Sequence, residues 1–219
     1  MTYFRRIYLI TTLSILSLLT SVDSALAEQQ ELDEFTIQSR KYAADFMAAM
    51  KRMRRIDIET VGISSTLKTC GHHSPQLYYE FSVKYNIALR RVSLAPRNPV
   101  LGSADAWEQA GLLKMQKMLK DGVKPDEMEI VELVQEPANQ YFRYLQPIIA
   151  EPGCLKCHGT DKDLAMEATE ALKLFYPNDR ANGYKGSDLV GAISIKRAKG
   201  VAAPPHNAAP PHNAAPPQH

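Results

Sequence analysis

From residue 28 to residue 55 the chain contains no glycine and no proline, and Phe35, Tyr42, Phe46, Met50 and Met53 recur there at spacings of three, four and seven. Such a pattern places one apolar stripe along an amphipathic helix and predicts a long helix near the N-terminus. A second helical stretch is expected over 59–70, with Ile63 and Leu67 on one side. Gly71 can take the left-handed conformation that closes a helix, and Ser74 followed by Pro75 has the form of an N-cap and a first helical position. A third helix then runs over 75–85. The competing expectation for this region is one continuous, kinked helix.

Beyond residue 86 the period changes. Residues 87–94 are rich in branched side chains and end at Ala95-Pro96-Arg97-Asn98-Pro99, a strand running into a rigid loop. Residues 104–120 have helical spacing and stop at Asp121-Gly122. Residues 129–134 and 141–149 are strand candidates around a hairpin-like loop, and 189–197 alternates apolar with polar residues as a last strand. Helices, strand, helix, hairpin, connecting segment and strand, in that order, predict an α+β domain with an antiparallel sheet rather than a parallel βαβ fold.

Both ends stand apart from this domain. The first 27 residues have a basic start with Arg5 and Arg6, an apolar stretch over 7–22 and the small-x-small sequence Ala25-Leu26-Ala27. This is the pattern of a secretory signal peptide, although the stretch nearly reaches the length of a retained membrane anchor. Residues 200–219 repeat Ala-Ala-Pro-Pro-His-Asn and are expected to form a disordered tail. His206, His212 and His219 lie six or seven residues apart in it, a spacing that favours solvation over metal binding. The domain is therefore read as 28–199.

Net charge is only +2, from 26 Lys and Arg against 24 Asp and Glu. Removing Arg5, Arg6 and Asp23 with the leader leaves 24 basic and 23 acidic residues, which offers no broad electrostatic footprint for nucleic acid. The expected location is the periplasm or another exported compartment, with membrane contact only through an uncleaved leader.

Three cysteines, Cys70, Cys154 and Cys157, cannot all pair within one chain. Two of them stand in Glu151-Pro152-Gly153-Cys154-Leu155-Lys156-Cys157-His158-Gly159. This C-x-x-C-H run is the attachment signature of c-type haem. Two residues between the thiols put both sulfurs on one side of a helical turn, where each can add to a haem vinyl group, and His158 follows as an axial ligand to iron. The run also admits a thioredoxin-like redox pair or half of a zinc site, but it lacks the βαβ surroundings of the first and the second Cys/His pair of the other. One haem c per chain is the expectation. Attachment of such a haem takes place outside the cytoplasm, in agreement with the leader.

Arg90, Arg91 and Arg97 have the chemistry to bind haem propionates bidentately, although solvated charge at a strand edge is the commoner role. Trp107, Phe142 and Tyr144 are candidates for the haem wall or for ordinary core. Met115 and Met118 have the chemistry of axial ligands, and their helical spacing points instead to packing.

The segments Arg90-Arg91-Val92-Ser93-Leu94, Arg97-Asn98-Pro99, Asp105-Ala106-Trp107-Glu108 and Phe142-Arg143-Tyr144-Leu145-Gln146-Pro147-Ile148 precede the C-x-x-C-H run in this order. Together they resemble the family of exported PAS-like domains that carry one c-type haem, found alone or as the sensing region of signalling proteins. The resemblance covers residues 28–199. It implies a PAS-like antiparallel sheet flanked by helices, with the haem held against it. It also implies an axial pair made of the motif histidine, His158, and a cysteine from an upstream helix, the place that Cys70 occupies in this sequence. Without the resemblance, Cys70 reads as an inert buried thiol, although a thiol in an oxidising compartment needs burial or a metal to escape oxidation. Gly71-His72-His73 departs from a plain helix, and His73 is the alternative ligand.

Two function classes follow. One is a sensor in which a redox change or a small gas, NO or CO, displaces a ligand and a signalling partner reads the change. The other is an electron-transfer cytochrome serving a redox partner. Catalysis ranks below both, because it needs an open iron position and no distal acid–base set is visible, so the chain is not expected to be an enzyme.

Overall fold

Gly62 adopts φ 78° and ψ 170°, a region of backbone space that is essentially closed to residues with a Cβ. The computed structural model describes the backbone of residues 2–202 and the side chains of residues 24–69 and 73–202. Its first element, α1 (Thr2–Tyr85), is helical on both sides of this glycine. The chain divides into two compact units, Met1–Gln38 and Ser39–His219. In the first, Gln29 donates to Asp33 at 2.8 Å and Gln30 to Glu34 at 3.2 Å, pairs one helical turn apart.

In the second unit α1 doubles back at Gly62. Tyr42 stacks on Tyr85 with ring centroids 4.0 Å apart, and Phe46 meets Tyr78 at 5.5 Å and Phe81 edge-on at 5.3 Å. His73 Nδ1 lies 3.1 Å from Asp57 Oδ2. Sixteen residues of straight helix would hold those two about 24 Å apart. Within this unit α1 is thus an antiparallel pair of arms with its elbow at Gly62, and Tyr42 and Phe46 of the first arm are buried against the second.

The expected helix end at Gly71 is corrected by this structure, since 71 and Pro75 both lie inside the second arm. Proline deprives the carbonyl four residues back of its donor, yet the aromatic packing between the arms holds the helix together. The positive φ falls at Gly62, so the break falls there too. Gly62→Ala is expected to lower the unfolding free energy by about 1–3 kcal/mol. Nothing lies within 4 Å of an added Cβ, so the cost is purely conformational. An unchanged urea midpoint would contradict this.

The remaining elements are β1 (Ala88–Val92), α2 (Pro99–Gly102), α3 (Ala106–Lys120), a 3-10 turn (Pro125–Glu127), β2 (Ile130–Gln135), β3 (Gln140–Ile149), α4 (Pro152–His158), α5 (Met166–Phe175) and β4 (Leu189–Ala198). The strands form one antiparallel sheet in the order β1-β4-β3-β2. The fold is α+β, as expected. α5 was not foreseen. Its residues fell in the connecting segment, where Ala168, Ala171 and Leu172 form the buried side of a short helix.

Strand alternation gives each sheet face its own cover. On one face Val92, Ala192 and Leu145 pack with Leu112 and Met115 of α3. Met115 is core there, in line with its spacing. On the same face Glu108 is fully buried and accepts from Ser194 Oγ at 2.6 Å and from Arg90, while Arg143 donates to Asp105 at 2.6 Å and stacks its guanidinium 4.5 Å from the Trp107 ring centre. Asp105 and Glu108 also close a capping box on α3. The opposite face meets the second arm of α1, where Arg91 Nε donates to Tyr78 Oη at 2.9 Å and Leu89 N–H to Ser82 Oγ at 3.1 Å.

Among the described residues, no helix is long and apolar enough to cross a membrane. Of the expected leader at 1–27, the side chains of residues 1–23 lie outside the described residues, as does the whole of the tail from 203.

Candidate functional site

β3 ends at Ile149, and after two intervening residues Pro152 opens α4, which carries Cys154, Cys157 and His158 in seven residues. Proline suits a first helical position because that N–H would have no partner within the helix. Cys154 N–H donates to the Glu151 carbonyl at 2.8 Å, and Glu151 N–H approaches Cys154 Sγ at 3.4 Å. The two cysteines, three residues apart, share one flank of the helix. Both are partly buried, and no disulfide joins them. At the far end Gly159 is required by space. A Cβ there would lie 2.6 Å from the Leu155 carbonyl oxygen and 2.6 Å from Asp163 Cβ.

His158 is held on its Nδ1 side. That nitrogen lies 2.8 Å from the Ala181 carbonyl oxygen. A carbonyl only accepts, whereas the Arg97 guanidinium, 3.2 Å from the same nitrogen, only donates; the shorter carbonyl bond assigns the hydrogen to Nδ1 and leaves Nε2 its lone pair. Burial drives the His158 pKa down to about 3, the Arg97 charge adding to this, the Ala181 bond opposing it, and Arg91 and Arg54 contributing in the same direction as burial. The imidazole is therefore neutral at physiological pH and able to donate through Nε2 to a metal.

A segment after α5 wraps this histidine. Gly183 N–H donates to the Gly159 carbonyl at 2.9 Å and Tyr184 N–H to the His158 carbonyl at 3.0 Å. The Tyr184 and His158 rings lie 6.5 Å apart. Arg97 ties the parts together, donating through Nη2 to the Cys157 carbonyl and through Nε to Asp179 Oδ2 at 2.9 Å. Asn98 and Pro99 set its place, the Asn98 side chain capping α2 by accepting from Val100 N–H at 3.0 Å.

The first arm of α1 reaches α4 as well. Lys51 Nζ lies 2.5 Å from Glu151 Oε1, and Arg54, one turn further on, is among the charges that act on His158. From the second arm Ile63 and Leu67 pack with Cys157, Ala168, Ala171 and Leu172. Tyr176 donates to the Leu67 carbonyl at 2.8 Å and lies beside the Arg97 guanidinium, 5.8 Å from ring centre to carbon.

Of the residues singled out in the sequence, the structure brings together Cys154, Cys157, His158, Arg97 and Arg91. Arg90 is on the other sheet face with Glu108, as alternation requires. Phe142 and Tyr144 are fully buried. His73 faces Asp57 with its side chain 44% exposed. Residue 70 lies in the second arm, and its side chain, like that of His72, is outside the described residues. Sequence reasoning missed Arg54, Tyr176, Asp179, Ala181 and Tyr184. The turn residues Pro177-Asn178-Asp179 could have pointed to the wrapping segment, whereas nothing in a sequence marks a backbone carbonyl.

A family model described as Tll0287-like matches residues 19–197. The chain belongs to the Tll0287-like family. This Tll0287-like chain is also similar to a solved crystal structure, the cyanobacterial heme-protein Tll0287, with 20% identity, a TM-score of 0.49, and coverage of 74% of this chain and 96% of that one. No curated protein matches it at a significant level.

Proposed function

We propose that this chain is an exported PAS-like protein carrying one haem c, bound through Cys154 and Cys157 with His158 and Cys70 as axial ligands. In this reading it acts as a redox or small-gas sensor, for NO or CO, read by a partner protein, and it is not an enzyme. The observation that carries the reading is the His158 Nδ1 bond to the Ala181 carbonyl. It leaves Nε2 to a metal, directly after a helical flank with two thiols. A carbonyl behind a ligating imidazole also fixes its tautomer and ring angle. The Tll0287-like family takes its name from a protein described as a heme-protein, in agreement with this chemistry. The antiparallel sheet flanked by helices supports the PAS-like assignment.

Bound haem supplies iron that gains and loses one electron. The chain's own part is to hold and shield it. Cys154 and Cys157 would anchor the group, Arg91 and Arg54, whose charges reach His158, would offer guanidinium charge to its carboxylates, and Leu67, Ala171 and Leu172 would exclude water beside Cys157. Residue 70 follows Ile63 by seven positions and Leu67 by three, the spacing of one helix face. That face packs beside Cys157 through Ile63 and Leu67. Loss of Cys70 as a ligand would thus release the second arm, and the arm is where a partner would read the change.

Optical spectra of the purified protein test the reading, oxidised and reduced, with and without CO or NO. Rapid binding of either gas to the reduced protein is expected. Spectra inert to both gases, with fast electron exchange, would establish the electron-transfer alternative in its place.

A further inference from the structure

Arg97 was a candidate for a propionate, yet its guanidinium is engaged by the protein. Nε donates to Asp179 Oδ2 at 2.9 Å, and Nη2 lies against the Cys157 carbonyl, 3.3 Å from the Ala181 carbonyl and 3.2 Å from His158 Nδ1. The ion pair is largely enclosed, with side chains 13% and 8% exposed. Asp179 uses its other oxygen, Oδ1, to accept from Ala181 N–H at 2.8 Å. One carboxylate therefore orients both the arginine and the residue whose carbonyl holds the histidine.

We infer that Arg97 and Asp179 form a positioning pair that fixes the His158 ring through the Ala181 carbonyl and sets the electrostatic potential at its Nε2. The inference about potential rests on the haem reading proposed above, whereas the inference about the ring does not. Neither residue is given a contact with the cofactor. Both act through His158.

The two charges have opposite signs, and this separates an electrostatic role from a purely structural one. The oxidised centre carries one more positive charge than the reduced centre. A guanidinium beside the axial imidazole disfavours the oxidised form, and the Asp179 carboxylate offsets it. Arg97→Gln is therefore expected to lower the reduction potential and Asp179→Asn to raise it. At short range in a partly buried site each change is on the order of tenfold in the oxidised-to-reduced ratio, or about 59 mV for one electron. Arg97→Lys keeps the charge without the fork of donors, and should restore most of the potential.

Potentiometric titration of the full-length protein and the three variants gives the first readout. The second is solvent exchange of the His158 Nδ1 hydrogen by NMR, expected to speed up at least tenfold in both Arg97→Gln and Asp179→Asn. Shifts of the same sign, or none, would overturn the electrostatic role. Exchange rates equal to wild type, or a hydrogen found on Nε2 in haem-free protein, would overturn the positioning role. If purified wild-type protein carries no haem, the haem reading fails, and the exchange measurement on that same chain still decides whether the pair holds the ring.

Discussion

Replacing Cys154 and Cys157 together by alanine is expected to yield protein with no covalently attached haem, whereas each single replacement leaves one thioether and a weakened attachment. Intact mass gives the number of groups per chain, and acid–acetone extraction separates covalent from dissociable haem. Colour stripped from mature wild-type protein would contradict the proposal. Each substitution removes one sulfur from a partly buried position, and the aromatic interface between the arms of α1 is remote in sequence from it. Circular dichroism should therefore show the helix and sheet content retained. His158→Ala should leave both thioethers in place and change the spin state of the iron. That separation tests the division of labour in α4, two residues to anchor and one to ligate.

How far the sequence foretold this site depends on the kind of interaction. Strands and α3 were legible because their periodicity is local, and observed bounds differ from those expected by a residue or two. The doubling back of α1 was not. Gly62 and Gly71 are alike as letters, and only packing of Tyr42 on Tyr85 and Phe46 on Phe81 decides which of them takes the positive φ. The ordered segments around Arg90, Asp105, Glu108 and Arg143 carried the family resemblance, yet most of them build the buried ion network under α3, far from α4 in role. Only Arg91 and the Arg97-Asn98-Pro99 segment serve the site. A polar network buried in a core leaves as firm a mark on a sequence as a ligand set, since each member left alone would be a costly unpaired group. The carbonyl of Ala181 left no mark at all, because any residue supplies one.

Cys70→Ala is expected to abolish the thiolate features of the oxidised spectrum and to raise the reduction potential. A thiolate gives charge to iron and favours the oxidised form. If it does so by a hundredfold over the replacing ligand, its loss raises the potential by about 120 mV for one electron. In the proposed reading, reduction would weaken the bond from Cys70, and a thiolate that took up a proton could then leave, which would open the position to CO, NO or an imidazole. His73 is three residues along the same arm, but its Nδ1 lies 3.1 Å from Asp57 Oδ2. It would have to give up that partner before it could serve as a ligand. Asp57 stands on the first arm and His73 on the second, so the exchange would also loosen the hairpin at the point where Gly62 lets it turn. His73→Ala should accordingly leave the oxidised spectrum unaltered and change the reduced one, while His72→Ala does little to either. Asp57→Asn, by releasing His73, should favour imidazole ligation in the reduced protein and slow the binding of CO. Thiolate features that persist in Cys70→Ala, or an oxidised wild-type spectrum with two imidazole ligands, would remove Cys70 from the iron. The second arm would then have no ligand to lose, and the electron-transfer reading would stand in place of the sensor.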